Sequence, residues 1–133
     1  LPNLEAAMNV LILLGHGSRD ASGLRPLAQI CAWTRAARPD WDVREAYLSL
    51  NQPTLEACLE GLQREGVDRV RILPMLVARG HHLNVELPSL LEGLRARYPN
   101  LVLELLPHLG ADPAIVDLVL RRVAPLPAFV REA

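Results

Sequence analysis

Apolar and polar positions alternate along this chain in blocks whose period keeps changing. Val10 to Gly15, "VLILLG", is a continuous apolar run and predicts a strand buried on both faces. From about Ala21 to Ala37, Leu24, Leu27, Ala28, Ile30, Cys31 and Thr34 recur at helical spacing, and Pro39-Asp40 ends that helix. "WDVREAYLSL" (41–50) reads as a second strand. Pro53 then suits a first helical turn, and Leu55, Cys58, Leu59 and Leu62 line one face up to Gly66. "RVRILPMLV" (69–77) predicts a third strand. A helix from about His82 to Tyr98 follows, with Leu83, Leu87, Leu90, Leu91 and Leu94 apolar. "LVLELLP" (101–107) is a fourth strand, and "DPAIVDLVLRRV" (112–123) a fourth helix with Pro113 in its first turn. The last ten residues, with Pro125 and Pro127, read as a tail.

Strands alternating with helices imply right-handed crossovers and a parallel sheet covered on both faces. The expected fold is therefore α/β: three layers, with a four-stranded parallel sheet flanked by helices. Residues 1–7 precede Met8 and read as a leader, leaving a single domain over residues 8–133. Ligands of such sheets bind beyond the carboxyl ends of the strands. "GHGSRD", "SLNQ", "ARGHH" and "PHLGAD" follow strands one to four, so polar residues distant in sequence should meet on one rim.

Composition narrows the classes. The 133 residues suffice for one core. Half are hydrophobic and the net charge is −1, so no electrostatic footprint for nucleic acid is present. Scarce aromatics argue against a base-stacking surface as well. The longest apolar run is far short of a membrane span. Cys31 and Cys58 lack any CxxC or zinc spacing and read as buried thiols in a reducing cytosol, which makes the expected location cytoplasmic.

Two rim segments carry candidate chemistry. In "GHGSR", His16 stands between two glycines directly after a buried strand. A dinucleotide fingerprint fails because Asp20 occupies its third glycine position. The Lys-Ser/Thr of a phosphate-binding loop and the G-x-S-x-G of a nucleophile elbow are missing. Ser18 or Asp20 is expected to cap the first helix. That accounts for the turn but not for an imidazole at the rim. In "ARGHHLNVELP", His82 and Glu86 are four apart and share a helical face, whereas His81 lies about 100° away around a helix and is expected to be solvated. The positive end of the helix disfavours imidazolium, and neutral imidazole accepts a proton or binds a metal ion. Glu86 would orient that histidine or hold a cation; spacing alone fits an ordinary surface acid equally well. Arg19 and Arg79 flank the two histidine segments, where guanidinium groups would clamp carboxylates of an acidic ligand or simply be solvated. His108 reads as a loop residue satisfied by backbone.

"VLILLGHGSR", "NQPTLEACLEGLQREGVDRVRILPMLVARGHHLNVELPSLL" and "PHLGADPAIVDLVLRR" together resemble the small class II tetrapyrrole chelatases, the sirohydrochlorin cobalt/iron chelatases of the CbiX/SirB type. The resemblance runs from about Val10 to Val123. It implies that His16 and His82 are the active-site histidines, and that they and Glu86, where the family more often has Asp, contact the metal. Ser18, Arg19, Ser49, Arg79, Gly80 and His81 would contact substrate. It further implies that half-length chains like this one pair as homodimers, the longer members holding two such units. One departure stands out: many bacterial members carry a Glu near the end of strand two, where this chain has Ser49. Glu45, on the same strand face, is two pleats back, roughly 13 Å away.

Metal insertion requires that two pyrrole N–H protons leave, that the ion shed water and that the macrocycle pucker. Neutral histidines suit the first two needs. A closed four-ligand cage would not release the ion. The resemblance thus implies a lyase inserting Co2+, Fe2+ or Ni2+ into sirohydrochlorin, in cobalamin or siroheme biosynthesis. No permanently bound cofactor, nucleic acid or membrane partner is expected. Leu48, Met75, Leu76 or Val77 would wall the pyrrole rings. Two alternatives stand beside it: a non-catalytic metal- or tetrapyrrole-binding protein on the same fold, with Ser49 as the sign of lost activity, and an unrelated flavodoxin-like enzyme.

Overall fold

The computed structural model describes residues 9–78, 80 and 82–124, excepting the side chains of His82 and Leu83. Residues 1–8, which include the expected leader 1–7, and Arg79, His81 and residues 125–133 lie outside the described residues. Four strands, β1 (Val10–Gly15), β2 (Asp42–Tyr47), β3 (Arg69–Pro74) and β4 (Val102–Leu105), form one sheet in the order β2-β1-β3-β4, all pairs parallel. Leu14 of the central β1 is level with Ala46 on one side and Pro74 on the other. The order places the carboxyl ends of β1, β2 and β3 side by side.

Four α-helices alternate with the strands: α1 (Arg25–Ala37), α2 (Leu55–Arg64), α3 (Leu87–Arg97) and α4 (Ala114–Val123). Because strand side chains alternate, β1 sends Val10, Ile12 and Leu14 to one face and Leu11 and Leu13 to the other. The first face carries the main core. There Leu55, Leu59 and Leu62 of α2 and Leu87, Leu91 and Leu94 of α3 pack on Ile12, Val70 and Ile72. On the second face, Leu27 and Cys31 of α1 cover Leu13, Val43 and Tyr47. Cys31 and Cys58 are both free and buried, as their isolation in sequence predicts. No helix of the described residues is long and apolar enough to cross a membrane.

Several boundaries differ from the sequence reading, each for a local reason. Ala21–Leu24 forms a 3-10 turn, and α1 proper begins at Arg25. Asp20 caps that turn, its Oδ1 accepting the Ser22 N–H at 3.0 Å. Ser18 is no helix cap; its Oγ accepts the Asp20 N–H at 3.1 Å. Thr54, not Pro53, sets the start of α2 by accepting the Ala57 N–H. β2 stops at Tyr47 because the chain turns through Leu50, whose φ is +71°. β3 stops at Pro74, which has no N–H to donate to a ladder. His82–Glu86 is not the first turn of an α-helix but a π turn leading into α3.

Candidate active site at the carboxyl ends of the strands

Loop one, after β1, is fastened to loop two, after β2. Gly15 O accepts the Leu48 N–H at 2.9 Å, and His16 O accepts both the N–H and the Oγ–H of Ser49 at 3.3 Å. Asn51 Oδ1 accepts the Ser18 N–H at 2.7 Å. Gly17 sits between these bonds with φ of +107°, and a Cβ there would lie 2.0 Å from Ser49 O. Gly17 is therefore required twice, by its backbone angle and by the close approach of the second loop. His16 is thus presented by a backbone bonded on both sides, with its exposed side chain at the rim.

Two cavities meet at His16. The smaller, about 170 Å³, is lined by His16, Leu48, Ser49, Glu86 and Leu90. It gathers an imidazole, a hydroxyl and a carboxylate from the connections that follow β1, β2 and β3. The larger, about 270 Å³, lies among His16, Leu24, Leu27, Tyr47, Met75 and Leu76. It offers an apolar wall on the α1 side. Burial and a 2.5 Å hydrogen bond donated to Glu45 Oε2 raise the Tyr47 hydroxyl above its ordinary range, so it stays protonated.

The sequence-derived site residues therefore divide. His16, Ser49 and Glu86 come together. Ser18 and Arg19 lie on the same loop, Arg19 exposed. Ser18 is committed to loop one, and Ser49 lends its hydroxyl to the His16 carbonyl. Gly80 precedes the π turn, its carbonyl accepting the Asn84 N–H at 3.0 Å. A Cβ at Gly80 would meet nothing within 4 Å, so packing does not demand glycine there. The backbone of His82 starts the π turn that ends at Glu86. Such turns recur at functional sites. Arg79 and His81 fall outside the described residues. Of the expected apolar wall, Leu48 lines the small cavity and Met75 and Leu76 the large one. Val77 lines neither; its carbonyl is the atom against which Gly110 packs. Glu45 is engaged with Tyr47. Asn51 is the residue that the sequence reading missed. Its only signal was an amide in a polar rim segment, and its bond to Ser18 spans 33 residues.

A four-stranded parallel α/β sheet flanked by helices is the fold this chain shares with solved chelatases of the CbiX/SirB type. The CbiX family model matches residues 10–126, and the chain belongs to that family. It is 29% identical over 120 residues to a sirohydrochlorin cobaltochelatase of Methanosarcina acetivorans, covering 85% of this chain and 92% of that one. It is 27% identical to a sirohydrochlorin ferrochelatase of Priestia megaterium, covering 87% of this chain but 44% of the longer protein. Among solved structures, a cobalamin biosynthesis CbiX protein from Marinobacter aquaeolei superposes with a TM-score of 0.74 at 27% identity, covering 86% of this chain and 96% of that one.

Proposed function

We propose that this protein inserts a divalent metal ion, Co2+ first and Fe2+ or Ni2+ as further candidates, into sirohydrochlorin. The observation that carries the reading is the cavity that joins His16 to Glu86 beside an apolar wall. Insertion exchanges two pyrrole N–H protons for M2+ and releases two H+. His16 is placed to accept a proton or to hold the ion briefly, and we assign His82 the same work from the start of the facing π turn. Glu86 would draw the cation in and shed it again, since two or three mixed ligands with an open sphere release an ion more readily than a closed cage. Arg19, with Arg79, would engage the substrate's carboxylates, and Met75, Leu76 and Leu48 would support its rings. The metal and the tetrapyrrole are both substrates.

We further propose a cytoplasmic homodimer. In support, cavities of about 170 and 270 Å³ are each smaller than the roughly 300–1,000 Å³ of a site that encloses a ligand. A macrocycle lying across both would leave one side uncovered in a single chain.

A second reading, a binding protein without turnover, is favoured by Ser49, which supplies no carboxylate beside His16. Anaerobic absorbance spectroscopy with sirohydrochlorin and each of Co2+, Fe2+ and Ni2+ separates the two. Insertion faster than the protein-free rate is expected; binding of both substrates with no acceleration would establish the second reading instead.

A further inference from the structure

His16 stands between two cavities of opposite character. The smaller holds Ser49 and Glu86. The larger is walled by Leu24, Leu27, Ile30, Met75, Leu76 and Leu109, and its described lining contains no Lys, Arg, Asp or Glu. The one hydroxyl in that lining, of Tyr47, is donated to Glu45 Oε2. Of the six apolar side chains only Leu27 is fully buried; the other five are half-buried. The larger cavity is therefore an open apolar recess beside the imidazole, not a gap in a filled core.

A close backbone contact brings Leu109 to this recess. Leu109 opens a 3-10 turn, Leu109–Ala111, after β4. The turn is closed by the N–H groups of Ala111 and Asp112, which donate to the carbonyls of His108 and Leu109 at 3.1 Å. A Cβ on Gly110 would lie 1.7 Å from Val77 O, so the turn can press on the connection after β3 only because residue 110 is glycine. Met75 and Leu76 belong to that same connection. The wall made by Met75, Leu76 and Leu109 is thus set by the contact of Gly110 with Val77.

The chemistry of the substrate decides what fits. At about 270 Å³ the recess is smaller than the roughly 300–1,000 Å³ of a site that encloses a ligand, so it takes one edge of a macrocycle. A carboxylate placed there would lose its water and meet no guanidinium or ammonium group, which is costly. Sirohydrochlorin carries acetate and propionate arms on every ring, and two of its rings also carry a methyl group. Each methyl shares a tetrahedral carbon with an acetate, so the two project to opposite faces of the ring. A protein surface lying against one face meets the methyl while the acetate points away.

We infer that the larger cavity is a methyl-reading subsite, which takes a methylated ring edge of the tetrapyrrole, and that Leu109 is its specificity-determining residue. This rests on the sirohydrochlorin reading above and adds the orientation of the substrate to it. The pyrrole nitrogens lie over His16, with Glu86 on their far side, and the methylated edge lies toward α1. The acetate on the same carbon stays in water. One methyl in an apolar pocket discriminates by roughly 10–200-fold, so the recess selects the methylated macrocycle over one that has only the carboxylate arms.

The test uses the full chain and reads tetrapyrrole binding without metal, by anaerobic fluorescence titration, so an inactive protein would not disturb it. The probes are sirohydrochlorin and uroporphyrin, which has the same acetate and propionate arms and no methyl groups. The wild-type protein should bind sirohydrochlorin at least about tenfold more tightly. Leu109→Phe fills the recess and should remove that preference, weakening sirohydrochlorin about tenfold while uroporphyrin stays within about twofold. Ile30→Phe fills it from the α1 side and should do the same, so the test does not depend on one variant folding; melting curves check both. A preference that survives in both variants at wild-type strength would come from ring shape alone and would overturn the subsite. Equal binding of the two probes by the wild-type protein would overturn the subsite and leave the insertion reading standing. Binding of neither probe would overturn both.

Discussion

The backbone N–H of Ser18 donates to Asn51 Oδ1 at 2.7 Å, joining the loop that presents His16 to the loop that follows β2. Asn51 touches loop one through its backbone, so in the proposed reaction it acts by positioning. Asn51→Ala should lower kcat about tenfold, the scale of losing one hydrogen bond of about 0.5–1.5 kcal/mol plus a loosened base. Asn51→Asp keeps the acceptor and should recover most of the loss. Steady-state insertion kinetics on the two variants check this. Equal loss in both, with equal loss of thermal stability, would reduce Asn51 to a fold residue.

The two adjacent histidines should behave differently. If His16 and His82 take the pyrrole protons, His16→Ala and His82→Ala should each lower turnover by roughly 10²–10⁴-fold, the range for a positioned acid or base. His81→Ala should cost far less, with a stability change below about 0.5 kcal/mol. Insertion assays at matched metal and substrate concentrations decide it. An inactive His81→Ala beside an active His82→Ala would break the proposed pairing of His82 with Glu86.

What could be read from the sequence was what one layer of packing determines. Leu55, Cys58, Leu59 and Leu62 mark the buried side of α2 because helical spacing and burial coincide there. The continuous run of β1 reads as a central strand because both its faces are covered. The same logic located the rim and placed His16 and Glu86 on it. It failed where a feature depends on something other than which side is apolar. Val116, Val119, Leu120 and Val123 have the periodicity of a packed helix, yet spacing does not say what covers the stripe. The π turn at His82–Glu86 was read as α because side-chain pattern does not separate bonding to the fourth residue from bonding to the fifth. Asn51 was invisible because its partner lies 33 residues away.

Glycines in the fold divide into those the site needs and those it does not. Gly17→Ala would force a side chain onto φ of +107° and against Ser49 O. It should cost about 1–3 kcal/mol of stability and lower turnover with it. Gly61 in α2 and Gly93 in α3 are helix-interior positions where a Cβ meets nothing within 4 Å. Ala at either should stabilise the protein by about 0.5–1 kcal/mol and leave insertion kinetics intact. Chemical denaturation of the three variants checks the contrast. A stabilised Gly17→Ala would show that the two loops part more easily than their bonds imply.

Alkaline pH should destabilise the fold through the second-face core. Desolvation, aided by the charge of Glu45, pushes the Cys31 thiol from 9.0 up to about 11. The Tyr47 hydroxyl is raised by its own burial and by Glu45. A raised folded-state value means that the unfolded chain loses its proton first. Stability from these groups is therefore full below about pH 9 and is lost as pH climbs toward 11. Denaturation midpoints measured between pH 8 and 11.5 should fall with a slope that steepens above pH 9. In Cys31→Ala the part due to that thiol disappears, so the fall should be shallower; what remains comes from the buried Cys58 thiol, which burial also raises, and from Tyr47. Identical slopes in wild type and Cys31→Ala would show that the thiol titrates alike in the folded and unfolded chains, and that burial between α1 and the sheet does not hold its proton.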